Sequence, residues 1–254
     1  MAALTNPGSD RVRAVRGLAQ RPVRKRTGRW ANPQCVVDLY LTADAMQRYA
    51  VDIVEPARAA GLWVHEATPE VLAAMADTDA PQGLVAVVER SEPTLAEVLA
   101  AGPRLLVLLT HVRDPGNAGT VIRGADAVGA DAVLVSDSSV DVTSPKVVRS
   151  TAGSLFHLPV VTALATEVTL STLAAHGIRT LAADGAGRVE LPSVDLAGPH
   201  CWVMGNEAWG LPESTRSACD EVVRVPIHGK AESLNLAMAA TVCLYASAGV
   251  LRPR

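Results

Sequence analysis

The sequence predicts an α/β fold organised around a parallel sheet, and three observations predict it. From residue 36 onward, short apolar runs alternate with amphipathic stretches of helical period, the pattern of strands joined by helices. Several of these runs, LLVLLTH at 105–111 above all, are continuous rather than alternating, as strands buried on both faces require. The composition supplies a core: 49% of the 254 residues are hydrophobic and 19% are charged. That balance excludes global disorder, and four cysteines in so long a chain exclude a disulfide scaffold.

Taken in order, 36–41 reads as a strand, 43–60 as a helix, 61–66 as a strand, 69–76 as a short helix and 84–88 as a strand. The stretch SEPTLAEVLAAGPR (91–104) reads as a helix bracketed by proline and glycine, placed as a linker. Strands then follow at 105–111, 132–136, 157–162, 178–183, 201–205 and 222–226. Helices are expected at 117–129, 145–152, 166–176, 213–219 and 234–249. The expected organisation is a basic arm at 1–30, a small N-terminal α/β domain at 31–90, a linker at 91–103 and a larger domain at 104–254.

The net charge of -3 hides an asymmetry. Residues 1–30 hold eight bases (Arg11, Arg13, Arg16, Arg21, Arg24, Lys25, Arg26, Arg29) against the single acid Asp10, leaving 15 bases and 25 acids elsewhere. A basic arm on an acidic body suits phosphate contact, or else is a solvated tail. Arg11, Arg13, Arg16, Arg24, Lys25 and Arg26 are the candidate residues for contact with nucleic-acid phosphates. The run LAMAATVCLYASAGVL (236–251) carries no charge but is shorter than the ~20 residues of a membrane span, so it reads as a buried helix. With no secretory signal, no CxxC pair and no histidine at metal-ligand spacing, a cytoplasmic protein without a metal is expected.

Three polar loops carry the candidate chemistry. In DPGNAGTVIRGADAVGA (114–130), Pro115-Gly116 marks a turn, Asn117 is placed to cap the next helix, and Gly119, Gly124 and Gly129 permit close backbone approach. Arg123 is a lone cation there; it is either functional or bridged to Asp126. VMGNEAWGL (203–211) turns tightly off a strand's carboxyl end, the edge where open α/β sheets bind ligands, or is a plain turn with a surface Glu207. In VPIHGKAESLNLAMAA (225–240), Ser233 and Asn235 are site residues or merely caps of the last helix.

Together these loops resemble the three signature motifs of the SpoU/TrmH family within the SPOUT superfamily of S-adenosylmethionine-dependent RNA methyltransferases. N-x-x-G-x-x-x-R is matched by Asn117, Gly119 and Arg123, and G-N-E-x-x-G by Gly205, Asn206, Glu207 and Gly210. P-[IM]-x-G-x-x-x-S-L-N is matched by Pro226, Ile227, Gly229, Ser233, Leu234 and Asn235. The resemblance implies a parallel-sheet SPOUT domain with a trefoil knot, a homodimer, and methyl transfer to a ribose 2′-hydroxyl, most readily of 23S rRNA. It implies catalytic roles for Arg123, Asn117, Glu207, Ser233 and Asn235. The cofactor's adenosine is expected along Met204, Gly205, Asn206, Ile227 and Leu234.

The N-terminal unit resembles the substrate-binding domain of the rRNA-directed members, and TDAPQG (78–83) matches their T-x-x-P-Q-G link. One departure stands out: RTGRWANPQ passes directly into the first strand, without the strand and helix carrying F-x-x-E-G, so the domain reads as shortened. A tRNA ribose methyltransferase, or a non-catalytic RNA-binding or ribosome-assembly protein retaining the fold, are the alternatives. A dehydrogenase or NTPase is disfavoured, because GAGRVE (185–190) lacks a third glycine and no Walker lysine loop exists.

Overall fold

A computed structural model describes residues 3–7, 9, 36–76, 81–88 and 92–251. The candidate RNA-binding residues of the basic arm, Cys35 and the first half (78–80) of the 78–83 link lie outside them. The chain divides into two compact units, Met1–Ser91 with Thr143–Pro145, and Glu92–Val142 with Lys146–Arg254.

The first unit is a three-stranded mixed sheet of order β2-β1-β3. β1 (Val36–Leu41) runs parallel to β2 (Trp63–Glu66) and antiparallel to β3 (Leu84–Val88), so this sheet is not wholly parallel. Leu4 adds a parallel bridge to Ala67, with its N–H donating to the Glu66 carbonyl and its own carbonyl accepting from Thr68. The helix expected over 43–60 is divided into α1 (Ala43–Arg48), a π turn at Ala50–Val54 and α2 (Glu55–Ala59). Pro56 explains the break: it has no N–H to continue the ladder, and it sits instead in the first turn of the restarted helix. α3 (Pro69–Met75) is capped by Thr68, whose hydroxyl accepts from the Val71 N–H. Tyr40, Val71, Leu72 and Met75 fill one face of the sheet, and Leu39, Leu41, Val54 and Ala57 the other.

The second unit is a seven-stranded sheet of order β6-β5-β4-β9-β7-β10-β8, with every pairing parallel. It comprises β4 (Leu105–Leu109), β5 (Ala132–Ser136), β6 (Val160–Leu164), β7 (Arg179–Ala183), β8 (Val189–Glu190), β9 (His200–Met204) and β10 (Glu221–Arg224). The continuous apolar runs are its centre: all five residues of β4, of β5 and of β9 are buried. α4 (Leu95–Ala100), in the stretch expected as a linker, contributes Val98 and Leu99 to this unit's core. The other helices are α5 (Pro115–Val128), α6 (Pro145–Ser150), α7 (Thr166–Ala175), α8 (Glu213–Ala218) and α9 (Leu236–Leu251). β6 starts later than expected because Ser154–Phe156 form a 3-10 turn ahead of Pro159.

α9 buries Ala237, Ala240, Cys243, Leu244, Ser247 and Leu251 against the sheet and α5. No helix among the described residues is long and apolar enough to cross a membrane. Cys201, Cys219 and Cys243 are free thiols, and burial pushes Cys219 up to about 11 and Cys243 up to about 12. They act as small apolar side chains rather than nucleophiles.

Candidate active site

The three polar loops leave the carboxyl ends of β4, β9 and β10, and side chains from all three meet. The Asn235 side-chain amide donates to Asn117 Oδ1 at 2.9 Å, and the Asn117 amide donates to Glu207 Oε1 at 3.3 Å. Glu207 in turn accepts from the backbone N–H groups of Asp114 (3.2 Å) and Arg113 (3.4 Å). One carboxylate thus holds the first loop by its backbone and, through Asn117, reaches the third. The pairs are separated by 90 and 118 residues in sequence, so only the fold can make them. Next to Glu207, Asn206 donates to the His111 carbonyl at 2.8 Å, tying the second loop to the end of β4 again.

The second loop is rigid for a steric reason. A Cβ on Gly205 would lie 2.4 Å from the Gly210 carbonyl carbon, and Gly210 has φ +70°. The two glycines let the turn close on itself, with Asn206 and Gly210 exchanging backbone hydrogen bonds of 2.8 and 2.9 Å. Glu207 is thereby aimed at Asn117 by a turn that excludes a side chain at 205 and favours glycine at 210.

Gly229 behaves in the opposite way. Its φ is ordinary and a Cβ there would meet nothing within 4 Å, so neither conformation nor packing requires glycine. Beside it, Ile227 exposes 39% of its surface and Leu234 is half-buried, while Met204 and Gly205 are buried. An apolar side chain on an open loop, with a glycine backbone clear for approach, fits the expected adenosine slot. Ser233 is exposed beside it.

Arg123 stands apart from the hydrogen-bonded chain. It lies on the exposed face of α5 with Gly116 and Thr120, and its side chain makes no ion pair or hydrogen bond among the described residues. The alternative bridge to Asp126 does not form, because Asp126 is engaged by His157 Nδ1 at 2.8 Å. The guanidinium is left available to a ligand. Asn117 and Asn235 also border a shallow groove of about 350 Å³ with Thr120, Met238, Thr241 and Val242.

Two local expectations are corrected. Asn117 does not cap α5; Asp114 does, accepting from the Asn117 N–H at 2.7 Å with Pro115 as the first helical residue. The Asp-Pro pair carried that signal, since proline suits the first helical position and aspartate the cap before it. Of the three glycines expected to permit close approach, Gly119 meets the Val147 carbonyl and the Ser150 hydroxyl and Gly124 meets the Thr241 hydroxyl of α9, whereas Gly129, just past α5, is its left-handed C-cap at φ +69°. Ser233 caps nothing; Asn235 does, accepting from Ala237 and Met238 while also reaching Asn117. Sequence reasoning missed His111, a non-glycine residue at φ +54° between the first and second loops. It also missed Asp184, which accepts from the Leu211 N–H and pairs with Arg216 behind the second loop.

Residues 104–245 match the model of the SpoU rRNA methylase family, and residues 30–94 match that of the RNA 2′-O ribose methyltransferase substrate-binding domain. The 23S rRNA (guanosine-2′-O-)-methyltransferase of Bordetella pertussis is 33% identical over 219 residues, covering 85% of this chain and 89% of that one. The 23S rRNA (guanosine(2553)-2′-O)-methyltransferase of Bacillus subtilis is 35% identical over 188 residues, 73% of this chain and 72% of that one. Among solved structures, an AdoMet-bound rRNA methyltransferase from Sinorhizobium meliloti superposes with TM-score 0.85 at 29% identity, covering 97% of each chain. The SpoU methyltransferase AviRb from Streptomyces viridochromogenes, in complex with AdoMet, gives 0.81 at 29% identity over 94% of this chain and 98% of that one. Three motifs wired into one site, a sheet of this order and these matches have one reading: the chain belongs to the SpoU rRNA methylase family.

Proposed function

We propose that this protein is an S-adenosylmethionine-dependent RNA methyltransferase that methylates a ribose 2′-hydroxyl of 23S rRNA. The observation that carries the reading is the hydrogen-bonded chain from Asn235 through Asn117 to Glu207, which joins all three motifs. The names of the relatives support rRNA as the substrate class, while they differ in the nucleotide modified: guanosine in two, and uridine in a Streptomyces viridochromogenes enzyme 36% identical over 183 residues.

S-adenosylmethionine, when bound, supplies an activated methyl group, so the protein's task is alignment and stabilisation of the attacking oxygen. Met204, Gly205, Asn206, Ile227 and Leu234 hold the adenosine through an apolar slot and loop amides. Arg123, a fixed cation, stabilises the developing alkoxide and its neighbouring phosphate. Glu207, fixed by Asn117 and two backbone amides, orients the ribose, and Ser233 and Asn235 shape the same wall. The basic arm, through Arg11, Arg13, Arg16, Arg24, Lys25 and Arg26, adds salt-dependent affinity for phosphate.

A homodimer is part of the proposal. Met238, Val242 and Tyr245 stand 59%, 43% and 56% exposed at helical spacing along α9, beside the groove holding Asn117 and Asn235. We propose the trefoil knot too; what supports it is that α9 returns to α5, β7 and β9, elements from earlier in the unit. A cytoplasmic location accords with the free cysteines.

The test is transfer of labelled methyl from S-adenosylmethionine to 23S rRNA and, separately, to tRNA, each from cells lacking the gene. A 2′-O-methylnucleoside mapped to one 23S position is the expected product. Label in tRNA alone moves the substrate; label in neither, with cofactor binding intact, removes the enzyme reading in favour of an RNA-binding role.

A further inference from the structure

We propose that Trp209 and His111 form a platform for the nucleobase of the methylated nucleotide, Trp209 supplying the stacking face and His111 holding it in place. The inference rests on the methyltransferase reading and names how the same site grips its substrate.

Trp209 lies on the second loop two residues after Glu207, yet its indole is 53% exposed. A large aromatic held on a catalytic loop without being buried is unusual, because burial is where such a side chain stabilises most. It is not loose. The Asn206–Gly210 bridge brackets it, and the His111 ring packs against it edge-on, with centroids 5.3 Å apart and planes at 63°. That arrangement fixes one face of the pair and leaves indole surface open to solvent.

His111 is itself strained and pinned. Its φ of +54° is costly for a residue with a Cβ, and strain of this kind persists where surrounding structure enforces it. Two hydrogen bonds do so: its carbonyl accepts from Asn206 at 2.8 Å and its N–H donates to Ser136 Oγ at 3.3 Å. Its Nδ1 is buried with no hydrogen-bond partner among the described residues. A strained backbone and an orphaned ring nitrogen, beside an exposed indole, are three departures from stability at one corner of the site.

The sheet order says which base sits there. β4, which leads to His111, lies on one side of β9, while β10, which leads to Ile227, lies beyond β7 on the other. His111 and Ile227 therefore leave the sheet on opposite sides of β9, and the proposal assigns the aromatic corner to the RNA. Single-stranded bases stack on aromatic side chains irrespective of sequence, so the platform holds the base without choosing it.

The test uses the full-length protein and an RNA fragment carrying the mapped nucleotide, alongside the same fragment with an abasic ribose there. Removing the base lowers kcat/KM of the wild type by about 10- to 100-fold. Trp209→Ala loses a similar factor on the intact fragment and nothing further on the abasic one, Trp209→Phe recovers most of it, and the Kd for S-adenosylmethionine is unchanged by calorimetry. His111→Gly, which relieves the positive φ, keeps or raises Tm and raises KM for RNA more than it lowers kcat, a split that a purely structural role would not produce.

Equal activity of Trp209→Ala and wild type overturns the proposal, as does a further loss of Trp209→Ala on the abasic fragment. A loss confined to cofactor affinity also overturns it, by assigning the indole to the adenine. Should the wild type methylate no RNA, the methyltransferase reading fails separately. Tryptophan quenching by a single-stranded oligoribonucleotide then decides: quenching in wild type but not in Trp209→Phe keeps the platform, and equal quenching removes it.

Discussion

The two units are both α/β, but they are held together by different means. The first is organised by neighbouring strands: β1 and β2 share the His65–Asp38 contact at 3.2 Å and the Tyr40–His65 stack at 4.9 Å, and α1 and α3 start on Thr42 and Thr68. The second adds side-chain hydrogen bonds between residues some 90 or more apart, from Asn117 to Glu207 and from Asn235 to Asn117. Strand pairing, a stack and one side-chain contact suffice to make that sheet. Holding reacting groups at a fixed separation needs side-chain bonds that join separate loops, since alignment of a nucleophile with a methyl group tolerates little drift.

The largest way to break the second arrangement is to open its tightest turn. Gly205→Ala puts a methyl group 2.4 Å from the Gly210 carbonyl carbon, a backbone atom that cannot swing aside. Stability should fall by about 3 kcal/mol, at the upper end of overpacking. Methyl transfer should fall by about 100-fold, because Glu207 moves with the turn. Urea melts with a cofactor-saturated rate assay measure both. Gly229→Ala is the control, with open space around its Cβ: stability is kept, and any loss appears in cofactor affinity.

Asn117→Ala removes the hinge of the polar chain without touching the turn. The variant should keep its melting temperature within a few degrees and lose about 10- to 100-fold in kcat, the worth of a hydrogen bond to a charged group. Arg123→Lys sharpens the comparison further. Lysine preserves the charge but not the forked donor geometry, so a large fall in kcat supports a geometric role in stabilising the alkoxide, and retained turnover rejects it.

How much of this was legible in the sequence follows the same division. Strands 36–41, 84–88 and 132–136 were read to the residue, because continuous or alternating apolar runs are local signals. The motif residues were legible as a family pattern, and Asn117, Glu207 and Asn235 do converge. Who bonds to whom was not. Asn117 reads as a cap until Asp114 is seen to occupy that position, and Asn235 reads as a cap and is one, while also serving the site. The left-handed conformation of His111 was invisible because nothing in a histidine announces a positive φ; it is imposed by Asn206, 95 residues away.

Ser247 tests the buried end of the second unit. Its hydroxyl lies 2.7 Å from His200 Nε2 and accepts from Trp202 Nε1 at 2.8 Å, all three residues being nearly inaccessible. Ser247→Ala strands the indole N–H and should cost about 1–3 kcal/mol. The pH dependence has a definite sign. Burial holds the His200 pKa below the ordinary value of 6.5, so the folded state keeps the imidazole neutral. The unfolded chain therefore binds the extra proton first as pH falls. The stability this neutral histidine carries is complete above about pH 6.5 and declines as pH drops through that value toward the folded pKa. Urea midpoints between about pH 7.5 and 5.5 should show the decline in wild type and a flatter profile in His200→Gln.

The smallest expected effects come from the helix caps, where the two units should be alike. Thr68 accepts from Val71 at 3.4 Å in the first unit. Thr94 in the second accepts from Glu97 at 3.2 Å, while the Glu97 carboxylate accepts from the Thr94 N–H at 2.7 Å, a reciprocal capping box. That backbone hydrogen bond lowers the Glu97 pKa, followed by the one from the Thr94 hydroxyl. Thr68→Ala and Thr94→Ala should each cost about 1 kcal/mol in urea melts, with methyl transfer unchanged for Thr94→Ala. If either cap costs as much as Ser247→Ala, local contacts carry more of that unit than its architecture implies. If both cost about 1 kcal/mol and add in the double variant, the units share their local chemistry and differ only in the long-range bonds that one of them uses to hold a site.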